Sequence, residues 1–368
     1  MALSPQHEEI RDTVRRFTAE QIAPHAAQWD RDKEFPRQAL EGLAAMGLFA
    51  VAVPEELGGA GLDYTTLAVA CEEIAAGDSA TAIIVSVNNL VAGILAGYGS
   101  AHQKTFVGKL GAFALTEPGA GSDASAITTR AERKGKHYVL NGVKQFVTSG
   151  KNADVAVIFA VTDKAAGKKG ISAFLVPTST PGYKVARIED KTGQRASDTA
   201  QILLEDCRTD QLIGQEGQGY RIALANLESG RINVAAIATG AARGALAAAL
   251  SYSRERKSMG KRLIEHQAVN FRLADMATRV EAARRLYLHA AALRDAGKPC
   301  IKEASMAKLF ASEMAEQVCS DAIQIHGGYG YVADFPVERY WRDVRVTQIY
   351  EGASDIQRMV IGRVLEEG

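Results

Sequence analysis

Glu351 is the residue in this chain whose surroundings most invite chemistry. It lies in IYEGASDIQR, residues 349–358, with Ile349 and Tyr350 before it and Gly352 and Ala353 after it. Ser354 and Gln357 have the S-x-x-Q spacing of a capping box. Ile356, Met359, Val360 and Val364 then recur at helical spacing. The pattern predicts a loop carboxylate just ahead of a helix N-terminus. Such an acid either complements the helix dipole or serves as a positioned general base. Taken alone, the stretch favours the structural acid.

Four other segments have chemical potential. Thr116–Asp123, TEPGAGSD, combines Pro118 with two glycines and predicts a tight turn with exposed backbone N–H groups. Such a turn suits a phosphate or another polar ligand, and equally a plain hairpin. It is neither a P-loop nor a G-x-G-x-x-G fingerprint. Phe146-Val147-Thr148 ends a strand begun at Tyr138, where an aromatic and a hydroxyl could wall a flat ring; the same tripeptide is ordinary β composition. Arg231 follows Glu228-Ser229-Gly230 and is expected to open an Ala-rich helix, binding an anion or pairing with an acid. Arg256, in RERKSMGKRL near the far end of that helix, either compensates the dipole or meets a pyrophosphate. His266, His289 and His326 have no metal-ligand spacing, so no metal site is expected. No G-x-S-x-G elbow supports Ser–His–Asp chemistry.

The elements that must position these residues fall into three blocks. Residues 1–111 read as helical, with Ile10, Val14, Phe17 and Ile22 at helical spacing and a Pro-and-Gly-rich loop over 54–61. Residues 112–215 read as an antiparallel β domain. Tyr138-Val139-Leu140 with Asn141-Gly142 gives a hairpin signal; short strands are expected over 155–160, 171–176, 183–188 and 200–204. Residues 216–368 return to the helical period as a four-helix-bundle-like domain. There Met306, Phe310, Met314 and Val318 form a core stripe, and Gly327-Gly328 stands where a C-cap would. The fold class is thus α+β and multidomain: N-terminal α-helical domain, middle antiparallel β domain, C-terminal helical bundle.

Composition excludes some functions. The 368 residues carry 43 Lys plus Arg and 43 Asp plus Glu, a balance that argues against nucleic-acid binding. Hydrophobic residues make up 47% of the chain, but no apolar run is expected to reach the length of a bilayer span, so no membrane segment is expected. Cys71, Cys207, Cys300 and Cys319 are widely spaced and suit a reducing compartment. The N-terminus MALSPQHEEIRD turns acidic at once and predicts neither a signal nor a transit peptide. A cytoplasmic protein is the expectation.

Six segments in order make the chain resemble the acyl-CoA dehydrogenase family: ALTEPGAGSD at 114–123, NGVKQFVTSG at 141–150, ESGRI at 228–232, RERKSMG at 254–260, AIQIHGGYGY at 322–331 and IYEGASDIQR at 349–358. The resemblance covers essentially the whole chain and shares its helix, sheet, helix order. It implies FAD held between the β domain and the C-terminal helices, partly across a subunit boundary in a homotetramer. Leu115, Thr116, Gly121, Phe146, Val147 and Thr148 would then line the flavin ring. Arg256, Ser258, Met259, Gln267, Gln324, Gly327 and Gly328 would reach the FAD of a neighbouring subunit, with Ala353 and Asp355 also at the cofactor. Ser122, Glu228, Arg231, Tyr350 and Gly352 would border the acyl-CoA, and Glu351 would be the α-proton base. Electrons would pass to an electron-transfer flavoprotein.

The resemblance also shows departures. The family commonly has Trp at Phe146, Phe at Met259 and Thr at Ala353. Some members carry the base at the position of Gly230, with Glu228 a weaker candidate here. The wording around GQEGQGY and ESGRINVAA leans toward short-chain and short branched-chain members. Acyl-CoA oxidases and flavin monooxygenases share the architecture, and an FAD-retaining scaffold or nucleic-acid-binding relative is the non-enzymatic alternative. Oxygen consumption, and salt-dependent DNA binding, would separate these.

Overall fold

The computed structural model describes residues 3–367. The first block holds six helices: α1 Pro5–Phe17, α2 Ala26–Asp32, α3 Arg37–Ala45, α4 Tyr64–Ala75, α5 Ser79–Tyr98 and α6 Ala101–Lys104. Side chains start several of them. Ser4 and His7 cap α1 reciprocally, and Asp63 and Asp78 accept the Thr66 and Thr81 N–H groups that open α4 and α5. Ser79–Tyr98 is 20 residues long with a mean hydropathy of 1.8 over its best window. This corrects the expectation that no apolar run reaches a span's length. Its faces are covered by protein, since 83% of that window is buried.

The sheet begins at Gly111. Its strands are β1 Gly111–Ala114, β2 Arg130–Lys134, β3 His137–Thr148, β4 Val155–Val161, β5 Ile171–Pro177, β6 Tyr183–Ile188, β7 Thr199–Thr209 and β8 Leu212–Ile213, in the order β6-β7-β3-β2-β4-β5-β8 with β1 on β4. Most pairs are antiparallel, but β4 runs parallel to β1 and touches β2 in parallel register. Asn141-Gly142 is not a hairpin turn. β3 runs through it and pairs with β7, and the register slips by one residue between Leu140 and Gly142. Gly142 has φ 152°, and a Cβ there would lie 2.5 Å from the Thr129 hydroxyl. The glycine therefore permits a bulge against a close neighbour.

The last block holds α7 Gly219–Glu255, the two-residue strands β9 Lys257–Ser258 and β10 Lys261–Arg262, α8 Gln267–Asp295, α9 Ile301–His326, α10 Val337–Val344 and α11 Ser354–Glu366. Arg231 sits well inside the 37-residue α7 and does not open it, because Gly219 already follows the sheet into helix. Gly240 lets α7 lie against α4: a Cβ there would fall 2.2 Å from the Glu72 carbonyl. Buried Glu72 and Glu73 pair with Arg243 of α7, Glu72 also with Arg284 of α8, and Glu73 with Arg15 of α1. The helical blocks thus share one core, and α4 and α5 lie beside the stretch of α7 that carries Gly230 and Arg231.

Candidate functional site

Glu351 sits in a loop between the short helical turn at 345–348 and α11, with left-handed backbone at φ 53°. Gly352 follows at φ 87°. The capping box does not form. Ala353 occupies the N-cap position without a side-chain bond, and the Ser354 hydroxyl has no partner. Gln357 instead turns back, its amide donating to the Glu351 and Gly352 carbonyls at 3.1 and 2.8 Å. Lys308 of α9 is fully buried and its ammonium donates to the Gly352 carbonyl at 2.8 Å. Two buried side chains therefore fix this loop by its backbone, leaving the carboxylate unencumbered.

That carboxylate has no hydrogen-bond partner among the described residues, and its Oε2 is shut off from solvent. It lies against α7, where a Cβ on Gly230 would come within 2.9 Å of Oε2. Burial pushes the carboxyl up to about 7, against the opposing charges of Arg231 and Lys308. Burial likewise draws Lys308 down to about 8, although Glu351 favours its charge. A base meant for neutral pH needs a carboxylate in this range.

Arg231 is 8% exposed and donates to the Ser305 hydroxyl at 3.2 Å. Its enclosed charge favours the ionised form of Glu351. Glu228 is committed elsewhere: it pairs with Arg294 at 2.7 Å and accepts from the Cys300 thiol at 3.1 Å. Its carboxylate is thus already engaged, whereas the Glu351 Oε2 is not. Tyr350 packs on the core, and its hydroxyl accepts from the Gln194 amide at 3.1 Å. Gln194, in the β6–β7 loop, also donates its backbone N–H to Asp343, whose carboxyl burial pushes up to about 7.

The same loop reaches the end of β3. The Asp198 carbonyl accepts from the Ser149 N–H at 2.9 Å, and the Asp198 carboxylate accepts from the Lys151 and Asn152 N–H groups. Just before Ser149, Phe146 stands 62% exposed with φ 56°. The Gln145 N–H donates to the Thr116 carbonyl at 2.8 Å, bringing the 116–123 segment beside Phe146. The Thr116 and Thr148 hydroxyls have no partner among the described residues. An open aromatic with two free hydroxyls fits the edge of a flat, polar-rimmed ring.

Beneath this rim lies a pair the sequence did not reveal. Lys144, fully buried, meets Glu117 at 2.7 Å and donates to the Leu115 carbonyl. Thr128 and Thr129 N–H groups also donate to Glu117. Burial alone would raise Glu117, but Lys144 and these donors outweigh it and hold the carboxyl at about 2. The side chains of Leu115 and Val147 are buried beneath the rim. Pro118 turns the loop, and the Glu117–Ala120 bridge closes it. Neither Gly119 nor Gly121 needs left-handed backbone; a Cβ on either would meet nothing within 4 Å. Gly121 and Ser122 remain exposed.

A second expected group lies on the outer face of the C-terminal helices. Arg256, Ser258, Gln267, Gln324, Gly327 and Gly328 are all exposed, and Met259 is 93% exposed with φ 49°. Arg256 lies over the Tyr329 ring at 5.7 Å, and the Ser258 carbonyl meets the His266 ring. Among the described residues no hydrogen bond joins this group to the Phe146 rim. Asp355 is exposed and pairs with Arg358. The α11 stripe also stays open, with Met359 61% exposed, and Phe310 of the expected core stripe is 39% exposed. Among the described residues no cluster of His, Cys, Asp and Glu has the makings of a metal site.

Three family models match consecutive parts of the chain: acyl-CoA dehydrogenase N-terminal domain over 4–110, middle domain over 112–207 and C-terminal domain over 217–366. The human mitochondrial short-chain specific acyl-CoA dehydrogenase is 48% identical over 98% of this chain and 90% of its own length. The solved butyryl-CoA dehydrogenase from Megasphaera elsdenii is 38% identical, with a TM-score of 0.97 over 100% of this chain and 99% of that one. A chain from the work on the electron transferring flavoprotein of Acidaminococcus fermentans is 43% identical, with a TM-score of 0.98 over the full length of both.

Proposed function

We propose, for a chain that belongs to the acyl-CoA dehydrogenase family, that Glu351 removes the α-proton of a short acyl-CoA thioester to give the trans-2-enoyl-CoA. The family membership makes the protein an FAD-dependent oxidoreductase acting on a CH–CH group. One observation carries the assignment of the base: on half-buried Glu351, the carboxylate Oε2 is closed to solvent, unpartnered and set against Gly230.

The α-proton of a thioester is weakly acidic, so the base must be dry and near the substrate. Desolvation strengthens Glu351 as a base, while Arg231 and Lys308 keep its ionised form accessible near neutrality. The Gly352 and Glu351 carbonyls are already occupied by Lys308 and Gln357. This fixes the backbone on the C-terminal side of Glu351, and the Glu351 N–H is the candidate donor to the thioester carbonyl. Phe146, Thr116 and Thr148 would hold the flavin edge, with Gly121 close by and Ser122 toward the CoA. When bound, FAD supplies the acceptor for the β-hydride at its N5.

The exposed group around Arg256 and Met259, with the open stripe on α11, supports assembly into an oligomer, a homotetramer in this reading, in which that group completes a neighbour's cofactor site. Likeness to a chain from the Acidaminococcus flavoprotein work supports electron-transfer flavoprotein as the acceptor. The short-chain relatives support a short acyl group, straight or branched. Four free, buried cysteines suit a reducing, cytoplasmic setting. The test is anaerobic flavin bleaching with straight and branched acyl-CoAs from C4 to C16. Bleaching greatest at the short end is expected; none with any of them would reject the reading.

A further inference from the structure

The loop at 189–198, between β6 and β7, joins the flavin rim to the segment that carries Glu351. Its two ends grip the strand end bearing Phe146, Val147 and Thr148. At one end the Glu189 carboxylate accepts from the Gln145 side-chain amide. At the other, the Asp198 carbonyl accepts from the Ser149 N–H at 2.9 Å, and the Asp198 carboxylate accepts from the Lys151 and Asn152 N–H groups at 3.0 Å. Gln145 and Ser149 stand on either side of the three rim residues.

The middle of the loop lies on the C-terminal helices. Gly193 is pressed on the α10 backbone, where a Cβ would fall 2.3 Å from the Arg342 carbonyl oxygen. The Arg342 guanidinium donates to the Thr192 carbonyl at 3.2 Å. Gln194 follows, 4% exposed, with left-handed φ of 48°. Its backbone N–H donates to the Asp343 carboxylate. Its side-chain amide donates to the Asp343 carbonyl at 3.3 Å and to the Tyr350 hydroxyl at 3.1 Å, so both amide hydrogens are spent. A non-glycine residue keeps such a backbone where the surrounding structure over-determines it.

The direction of these bonds gives them a use. Lys308 and Gln357 fix the backbone after Glu351, but both come from the C-terminal helices and hold the base within its own block. The ring wall at Phe146 belongs to the sheet. Among the described residues, the bond from Gln194 to Tyr350 is the one hydrogen bond between residues 112–215 and 349–353. Proton loss at C2 and hydride loss at C3 need base and ring at a fixed separation across the substrate, and a misplacement of about 1 Å costs on the order of 10²-fold.

We infer that Gln194 is a positioning residue: through the Tyr350 hydroxyl it sets where Glu351 stands relative to the flavin rim. The inference rests on Glu351 as the base. Gln194 acts through Tyr350, and the α-proton still passes to the Glu351 carboxylate.

The test is made on the holoenzyme. Gln194→Met keeps the side-chain length without the donors, and Tyr350→Phe keeps the ring without the hydroxyl. Each should lower kcat for butyryl-CoA by about tenfold, with KM within about twofold and flavin content unchanged. The double variant should be no slower than the slower single one, because both remove the same bond. A measurement without turnover uses 3-thiabutyryl-CoA, which has an α-proton to lose but sulfur in place of the β-carbon. Its enolate beside oxidised flavin should give a long-wavelength charge-transfer band, weaker at saturation in both variants than in the parent. Tyr350→Phe serves alone if Gln194→Met does not fold. Unchanged kcat and band, single effects that multiply in the double variant, or a fall in kcat matched by an equal loss of bound FAD would overturn the inference. Glu351→Gln separates the two readings. If it stays active, the assignment of the base fails and this inference with it; if it is inactive while Gln194→Met runs at full speed, this inference alone fails.

Discussion

Replacing Glu351 by Gln should make a nearly inactive protein that is more stable than its parent at pH 8. The carboxyl is raised by burial from 4.5 to about 7. A shift of that size corresponds to about 3 kcal/mol of unfavourable ionisation in the folded state, taken as an upper figure. Because the folded pKa lies above the unfolded one, the protonated acid's contribution is fully present below pH 4.5. It is lost as pH rises through about 7. Glutamine keeps the shape without the charge. Its advantage in thermal midpoint should therefore be largest at pH 8, shrink between pH 7 and 4.5, and vanish below. Asp343 is also pushed to about 7 by burial, but it is common to both proteins and cancels in the difference. Midpoints must be compared at equal FAD and protein concentration, since bound ligand and assembly shift them. In the parent, kcat/KM should rise about tenfold from pH 6 to pH 8 as the base ionises, and the variant should lose on the order of 10²–10⁴-fold in turnover. A variant no more stable at pH 8 than at pH 5, relative to the parent, would refute the buried, unpaired carboxylate.

Three further outcomes follow from the same geometry. Gly230→Ala puts a Cβ 2.9 Å from the Glu351 Oε2, so turnover should fall by about tenfold or more with flavin content kept; unchanged kinetics would mean that the carboxylate does not rest on α7. Lys308→Met removes a charge that lowers the Glu351 pKa, so the acidic limb of the kcat/KM profile should move to higher pH, and a move to lower pH would contradict the assigned sign. Glu117→Gln leaves Lys144 buried without its counter-charge. A loss of about 3–5 kcal/mol in stability is expected, visible as early release of FAD on heating, and a variant as stable as the parent would show the pair to be dispensable.

The sequence made the site's outline legible, because its segments are local: the Glu351 loop, the Thr116 turn and the Phe146 strand end can each be read within ten residues. What it hid is what holds them. The side chain of Gln357 has the spacing of a cap, but Ala353 takes the cap position and Gln357 serves the loop carbonyls. Asn141-Gly142 has hairpin chemistry, yet pairing of β3 with β7 over its whole length overrides the local turn preference. Glu117 with Lys144, Gln194 with Tyr350, and Lys308 with Gly352 lie 27, 156 and 44 residues apart. Periodicity has no access to such pairs.

The backbone of the site has a consequence for anyone who would harden this protein. Among the described residues, seven other than glycine adopt left-handed backbone, and five of them, Phe146, Ser149, Gln194, Met259 and Glu351, belong to segments discussed as parts of the site. Each such residue costs about 1–2 kcal/mol relative to an ordinary conformation. A redesign guided only by melting temperature would find these positions first and fill them with glycine or asparagine. It would return a sturdier scaffold that had lost the ring wall, the interdomain tether and the acid. Libraries for thermostability should hold these five positions fixed and seek their gains in the helices that never face the cofactor.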